Sequence, residues 1–451
     1  MGVGRVTILG GGFGGLAAGV ALAAKGVPVT VLEARPRLGG RAYSFRDAAS
    51  GAVVDNGQHV LMGCYGDTLA FLERIGSGGR VQRQTAVRVE MIDPERGSGV
   101  IGAGRTPAPA HMLAAILGYR LLSRCERLAA LAGGTRILAM RRRRDARLDE
   151  FTVGGLLAHV GQSANACRSF WHPLAVATLN EVPERAAAAP FTEVLARAFF
   201  GSRADAQFIL PTVGLSDLYT TGAARYIERR GGRVECHAVA TEVLTRDDRV
   251  SGVRLRDGRT LPTDVCIGAV PPRMLPALLP PALRDTAPFV ALDGLGASPI
   301  VSAHLWWDRP VLRVPFVGLI GTTTQWLFNR SLLTDGVMSA GPQQVSAVIS
   351  AGRDVADWEP ARIEATVAAD VRRVLPAARD ARLERAVVVK EKHATIATTP
   401  AAERARPGTV TPIDNLFLAG DWTATRLPPT IESAVSSGHR AAAAAVRRLE
   451  D

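Results

Sequence analysis

The apolar positions open the chain in two rhythms. Val6–Leu9 is a short apolar run, Leu16–Ala24 is small and apolar with helical continuity, and Val27–Leu32 returns to a β-branched run. No charge lies between Arg5 and Lys25, so nineteen uncharged residues stand in a row. That length suits an export signal or a membrane span. Six of the nineteen are glycine, at positions 10, 11, 12, 14, 15 and 19, and each lowers helix propensity by about 1 kcal/mol relative to alanine. The pattern instead predicts a strand at Arg5–Leu9, a glycine turn, a helix at Gly14–Lys25 and a second strand at Pro28–Glu33.

Further along, residues 106–214 read as helical and rich in Ala, Leu and Arg. A helix is expected at Leu215–Arg230, then a hairpin within 250–261 that turns at Asp257-Gly258. Pro271-Pro272 opens a stretch to 385 that mixes strands with one strong helix, Ala361–Val374. Asn415–Ala419 reads as a short apolar strand running into Gly420-Asp421. The prolines at 428 and 429 lead into a last helix with Thr430 as N-cap. The expected fold is α/β: a Rossmann-like cofactor domain built from 1–105, 215–270 and 386–451, interleaved with an α+β domain built from 106–214 and 271–385.

The glycine turn carries chemistry. In Gly10-x-Gly12-x-x-Gly15 the first glycine permits the turn, the second lets backbone approach a pyrophosphate, and the third packs helix on strand. The phosphates then meet free amides at the positive end of a helix. Glu33 ends the next strand, where a carboxylate accepts the ribose hydroxyls. Gly39-Gly40-Arg41 adds backbone donors and a bidentate phosphate ligand beside it. A second GxGxxG is absent, so the electrons for a bound cofactor are expected from an external donor.

Composition changes the picture in two places. The 451 residues carry 54 basic and 42 acidic side chains, a net charge of +12, and only Lys25, Lys390 and Lys392 are lysine. Nine arginines against four acids fall within 111–150. Arg120, Arg124 and Arg127 have the spacing of one helical stripe and Arg141–Arg144 form a block, a pattern suited either to a solvated face or to an anionic membrane surface. No recognition fold or aromatic interleaving accompanies the charge, so nucleic acid is not expected as a partner. The five cysteines are scattered without CxxC spacing and the histidines show no ligand pattern; neither a disulfide framework nor a metal is expected. The expected location is cytoplasmic, peripheral on the inner face of the membrane.

The glycine opening with its acid, the Gly-Gly-Arg motif and the stretch from Ala419-Gly420-Asp421 to Gly438 resemble the FAD-dependent amine oxidase and phytoene desaturase superfamily. Asp55–Tyr65, Phe170–Asn180, Ala394–Pro400 and Gly420–Glu432 are most similar to its hydroxysqualene dehydroxylase branch. The resemblance implies FAD, held by Gly10, Gly12, Gly14, Gly15, Glu33, Ala34, Gly40, Arg41, Gly57, Gly420 and Asp421. Val239 would pair with adenine and the Ile431 amide would face the flavin carbonyl. It also implies removal of the hydroxyl from hydroxysqualene to give squalene, with a carotenoid-type desaturase or an amine oxidase as the alternative. A long-chain isoprenoid needs an apolar tunnel, for which 111–132, 191–210 and 300–328 are the candidate linings. The leaving hydroxyl needs a general acid; His59 is the first candidate and His172 the second, each with a purely structural role as the competing possibility. The shortage of lysine leans against amine chemistry.

Overall fold

Val6–Leu9, Val265–Gly268 and Leu416–Leu418 are buried along their whole lengths, as strands covered on both faces must be. They lie in a five-stranded parallel sheet in the order Arg233–Glu235, Val29–Leu32, Val6–Leu9, Val265–Gly268, Leu416–Leu418. The computed structural model describes residues 4–103, 108, 110–338 and 341–451. The uncharged N-terminal stretch therefore forms the central strand and the helix Phe13–Ala24. That helix is pressed so closely against the terminal helix Ile431–Glu450 that a Cβ on Gly438 would lie 2.3 Å from the Gly14 carbonyl oxygen. Asp257-Gly258 turns a hairpin between Arg249–Leu255 and Thr260–Pro262.

A second, seven-stranded sheet runs Leu383–Thr395, Ser298–Trp307, Gln343–Ile349, Trp326–Asn329, Phe316–Leu319, Arg88–Asp93, Gly97–Gly102. Strand Ser298–Trp307 alternates strictly, as period two requires. Val301, Ala303, Leu305 and Trp307 enter the core beneath helix Pro360–Val374. Ser302 and His304 point the other way. The opposite side of the sheet supports a helical block through Phe316, Phe328 and Val348.

Two stretches expected with the cofactor domain, and residues 386–395 of a third, pair here instead. Arg88–Asp93 and Gly97–Gly102 hydrogen-bond to each other and extend this sheet, and Leu383–Thr395 forms its other edge. A hairpin joins whichever sheet offers an open edge, and the period of its side chains does not say which. The expected boundary at 105–106 lies outside the described residues.

The arginine stripe also resolves differently. Helix Ala110–Leu117 ends before Arg120, and Arg124–Arg142 starts afresh behind a capping box in which Ser123 and Glu126 satisfy each other's amides. Arg120 stands in the turn. Arg127 folds back, donating to the Leu117 and Leu122 carbonyls and so closing the preceding helix. Among the described residues no helix is long and apolar enough to cross a membrane.

Candidate active site

The glycine motifs converge on one end of the first helix. Gly10 has φ +111°, which only glycine adopts without strain, and a Cβ on Gly15 would sit 1.9 Å from the Gly10 carbonyl oxygen. Gly12 is the N-cap and offers no side chain to the helix, so no side chain blocks its first-turn amides. Across from it lies Gly40, at φ +54°, where a Cβ would be 3.3 Å from the Gly12 Cα. Gly14 faces Gly420 at similar range. The glycines predicted from three separated segments thus form one cradle of bare backbone at a helix N-terminus.

The predicted charged ligands rim this cradle. Glu33 is buried, its Oε2 accepting from the Gly11 amide and its Oε1 from the Arg35 amide, both at 2.9 Å. Ala34 follows it at the surface. Arg41 forms an ion pair with Asp421 and donates to the Ala394 carbonyl at 3.0 Å. Ile431 begins the terminal helix, which Thr430 caps through the Ser433 amide as expected. Val239 stands apart, after strand Arg233–Glu235, with its carbonyl accepting from the Arg256 amide.

The segment Asp55–Val60 leads away from the cradle. Asn56 donates to the Arg41 carbonyl at 2.7 Å and accepts from the Tyr43 amide. Asp55 accepts from Ser44 at 2.7 Å, from the Leu215 amide at 2.9 Å and from Arg330 at 3.4 Å. Gln58 accepts from the same guanidinium at 2.8 Å. Gly57 leaves room for Ser302, whose Oγ would lie 3.3 Å from a Cβ there. His59 Nδ1 donates to the Gly57 carbonyl at 2.7 Å, which leaves Nε2 as the nitrogen that gains or loses the second proton. Burial pushes its imidazole below the usual range, opposed by the Gly57 carbonyl and the Asp55 charge. The next residue, Val60, packs on the large apolar cluster of the helical block.

His172 begins helix His172–Leu179 directly after a π-helical turn, Cys167–Trp171. Burial lowers its pKa too, with Glu184 opposing. Leu174, two residues on, packs on the same apolar cluster. The three candidate tunnel linings meet there: Tyr119, Leu121 and Leu122 from the first, Phe191 and Leu195 from the second, Phe316, Ile320 and Phe328 from the third. Each predicted acid therefore stands within two residues of this cluster along the chain, and His59 lies on the segment that ties it to the cradle.

A family model for flavin containing amine oxidoreductases matches residues 13–446. A hydroxysqualene dehydroxylase of Sinorhizobium fredii is 30% identical over 444 residues, covering 97% of each chain. The chain belongs to the flavin containing amine oxidoreductases, in the hydroxysqualene dehydroxylase branch. A second such relative, from Rhodopseudomonas palustris, is 29% identical with 97% of each chain covered. The 15-cis-phytoene desaturase of Synechococcus elongatus is more distant, at 24% identity over 99% of this chain and 97% of the relative. Solved structures share the fold at low identity. A putative protoporphyrinogen oxidase from Exiguobacterium aligns over 100% of both chains at 16% identity with a TM-score of 0.69. Cyclohexylamine oxidase from Brevibacterium oxydans does so at 19% identity, also over 100% of both chains, with a TM-score of 0.67.

The cofactor of this family member is FAD, and the cradle fits it: side chains are missing where backbone must approach phosphate, and the Arg41 and Arg35 guanidiniums stand at the rim. Lys390 and Lys392 face elsewhere, Lys390 bonding the Trp358 carbonyl and Lys392 pairing with Asp357 at 2.6 Å.

Several residues that shape the site carry no local signal. Arg406 is fully buried and donates to the Asp421, Thr423 and Leu427 carbonyls while pairing with Glu403, so it fixes the Gly420–Leu427 loop. Glu432 caps the helix Gly66–Arg74 by accepting from the Asp67 and Thr68 amides, and burial raises its pKa. Tyr219 stacks on Phe13 at 3.6 Å and donates to the Gly39 and Ala42 carbonyls, which holds the Gly-Gly-Arg loop. Arg330 joins Asp55 to Gln58 from just after strand Trp326–Asn329 of the second sheet. Only Glu432 lay inside a stretch already singled out by its motif.

Proposed function

We propose that the chain reductively dehydroxylates hydroxysqualene to squalene at the border between cradle and apolar cluster. The observation that carries this is the Asp55–Val60 segment, bonded to Arg41 at one end and packed into the apolar cluster at the other, with His59 between. Gly10, Gly12, Gly14, Gly15, Gly40 and the first-turn amides hold the pyrophosphate with Arg41. Glu33 and Ala34 face the adenosine ribose, Val239 the adenine, Gly57, Asp421 and Ile431 the flavin end. Bound reduced FAD supplies the hydride that replaces the departing hydroxyl at the allylic carbon.

The chain's own part is to deliver the proton and exclude water. With Nδ1–H committed to Gly57, a second proton on His59 resides at Nε2 and passes to the leaving oxygen, releasing water. A lowered pKa makes that imidazolium a stronger acid while fewer molecules carry it at neutral pH. Asp55 supports the charged form. His172 is the alternative donor. The aromatic lining around Phe208, Phe316, Trp326 and Phe328 excludes water from a long isoprenoid. Leu113, Leu117 and Leu128 are exposed on the same stretch as the exposed Arg120 and Arg124, which supports docking on the inner face of an anionic membrane to collect it. An external donor reduces the flavin.

The test is anaerobic incubation of the dithionite-reduced holoprotein with 12-hydroxysqualene. Squalene should form in proportion to flavin; turnover of phytoene instead, with no squalene, would overturn the proposal. His59→Ala should lower the single-turnover rate about 100-fold or more. Because the acid is the cation, the wild-type rate should fall about tenfold per pH unit above a midpoint below the usual imidazole value, and this limb should vanish in the variant.

A further inference from the structure

A cleft of about 330 Å³ opens between the C-terminal end of helix Gly66–Arg74, with the turn that follows it, and one face of helix Thr221–Glu228 along its length. Its size is at the small end for ligand sites. Arg74, Arg80, Arg225, Arg229 and Arg230 all line it. Helix C-termini favour a neighbouring cation, which accounts for one or two arginines and not for five around one opening. Among the described residues none of the five is ion-paired, whereas Arg41, Arg141, Arg168, Arg330 and Arg353 each meet a carboxylate. Arg80 is anchored by the Asp217 carbonyl at 2.6 Å, and the Arg230 guanidinium lies 3.7 Å above the Tyr226 ring. Two forks are thus held in place, and no carboxylate pairs with any of the five among the described residues.

The cleft is not part of the FAD site. Along the helix that follows Tyr219 the arginines come late: Arg225 lies six residues on, about 9 Å along the axis, and Arg229 and Arg230 stand beyond the helix end at Glu228. None of the lining residues belongs to a glycine motif.

We propose that this cleft binds a phosphate-bearing anion of the diphosphate class. Guanidinium forks match phosphate oxygens bidentately, and several converging on a small concave surface suit a compact anion carrying more than one charge. The phosphate is offered either by a free phosphorylated metabolite or by an anionic lipid headgroup.

Calorimetric titration of the FAD-saturated protein with inorganic diphosphate tests it, alongside sedimentation with vesicles of phosphatidylglycerol and phosphatidylcholine. The wild type should bind diphosphate, and Arg225→Ala/Arg229→Ala should weaken binding at least tenfold while flavin content is unchanged. Arg225→Lys/Arg229→Lys keeps the charge but loses the forks, and it should weaken binding as well if the alanine variant fails to fold. Arg120→Ala/Arg124→Ala, on the other basic surface, should leave diphosphate binding intact. Loss of vesicle binding in the cleft variant assigns the phosphate to a headgroup; unchanged vesicle binding with lost diphosphate binding assigns it to a free anion. If neither probe binds the wild type, or both bind the cleft variants as well as the wild type, the proposal is wrong.

Discussion

The FAD cradle and the buried polar knots around the second sheet solve the same problem of precision by opposite means. In the cradle, side chains are removed: Gly10, Gly12, Gly14, Gly15, Gly40 and Gly420 bring backbone from three segments together. In the knots, side chains are added and buried. Asn180, at φ +49°, donates to the Ser298 carbonyl and to Thr395 and accepts from the Ala351 amide, and Glu181 beside it is paired with Arg353 through two bonds of 2.7 Å. Asp55, Arg330 and Gln58 form the second knot, with His304 close by. A bare-backbone site resists an added atom most where backbone already fills the space, as at Gly15, whereas a buried polar knot resists a missing partner.

The largest effect expected from that contrast is at Gly15. Gly15→Ala places a methyl against the Gly10 carbonyl, costing more than ~3 kcal/mol, and the protein should purify without flavin absorbance. Full FAD occupancy would break the cradle half of the comparison. Next is His304, buried against Ser346 with Nδ1 to Oγ at 2.8 Å, whose pKa burial and Arg330 push down to about 4. The unfolded chain binds its proton first, so stability is complete above about pH 6.5 and should fall by about 3 kcal/mol as pH drops towards 4. Urea unfolding of wild type against His304→Gln across that window measures it, and equal pH slopes would remove His304 as the cause.

Smaller again is Arg353→Ala. It leaves Glu181, which has no exposed side-chain surface, with the Val182 amide at 3.1 Å and Arg185 at 3.8 Å; since Arg353 is itself 30% exposed, a loss of about 2–3 kcal/mol is expected. Flavin content should stay unchanged, which separates knot from cradle; loss of flavin in parallel with stability would merge them. Gly40→Ala is the mildest, since alanine at φ +54° costs about 1–2 kcal/mol. FAD titration of the apoprotein should show roughly a tenfold weaker Kd.

The same contrast explains what could be read from the chain. Phe13–Ala24, the strands around it and the cap at Thr430 were legible because their signals are local: a glycine turn, a short apolar run, a side chain three residues from its amide. The stretches Phe170–Asn180 and Ala394–Pro400 stood out by resemblance, but why they matter emerged only where Asn180 meets Thr395 and Thr398 meets the Leu179 carbonyl. Arg330 and Arg406 were silent. An arginine among 51 has no mark of burial until the fold surrounds it.

Taken alone, the sequence determined the parallel sheet, the glycine turn and the cofactor class, since strand periods and φ-positive glycines constrain the backbone within a few residues. Tertiary structure alone decided that Arg88–Asp93, Gly97–Gly102 and Leu383–Thr395 join the second sheet, that the arginine stripe is broken at Ser123, and that His59 sits between cradle and apolar cluster. It also decided which arginines are paired and which five share an open cleft. Those outcomes depend on partners up to 380 positions away, and the free energy of such contacts exists only once loop closure has brought them together.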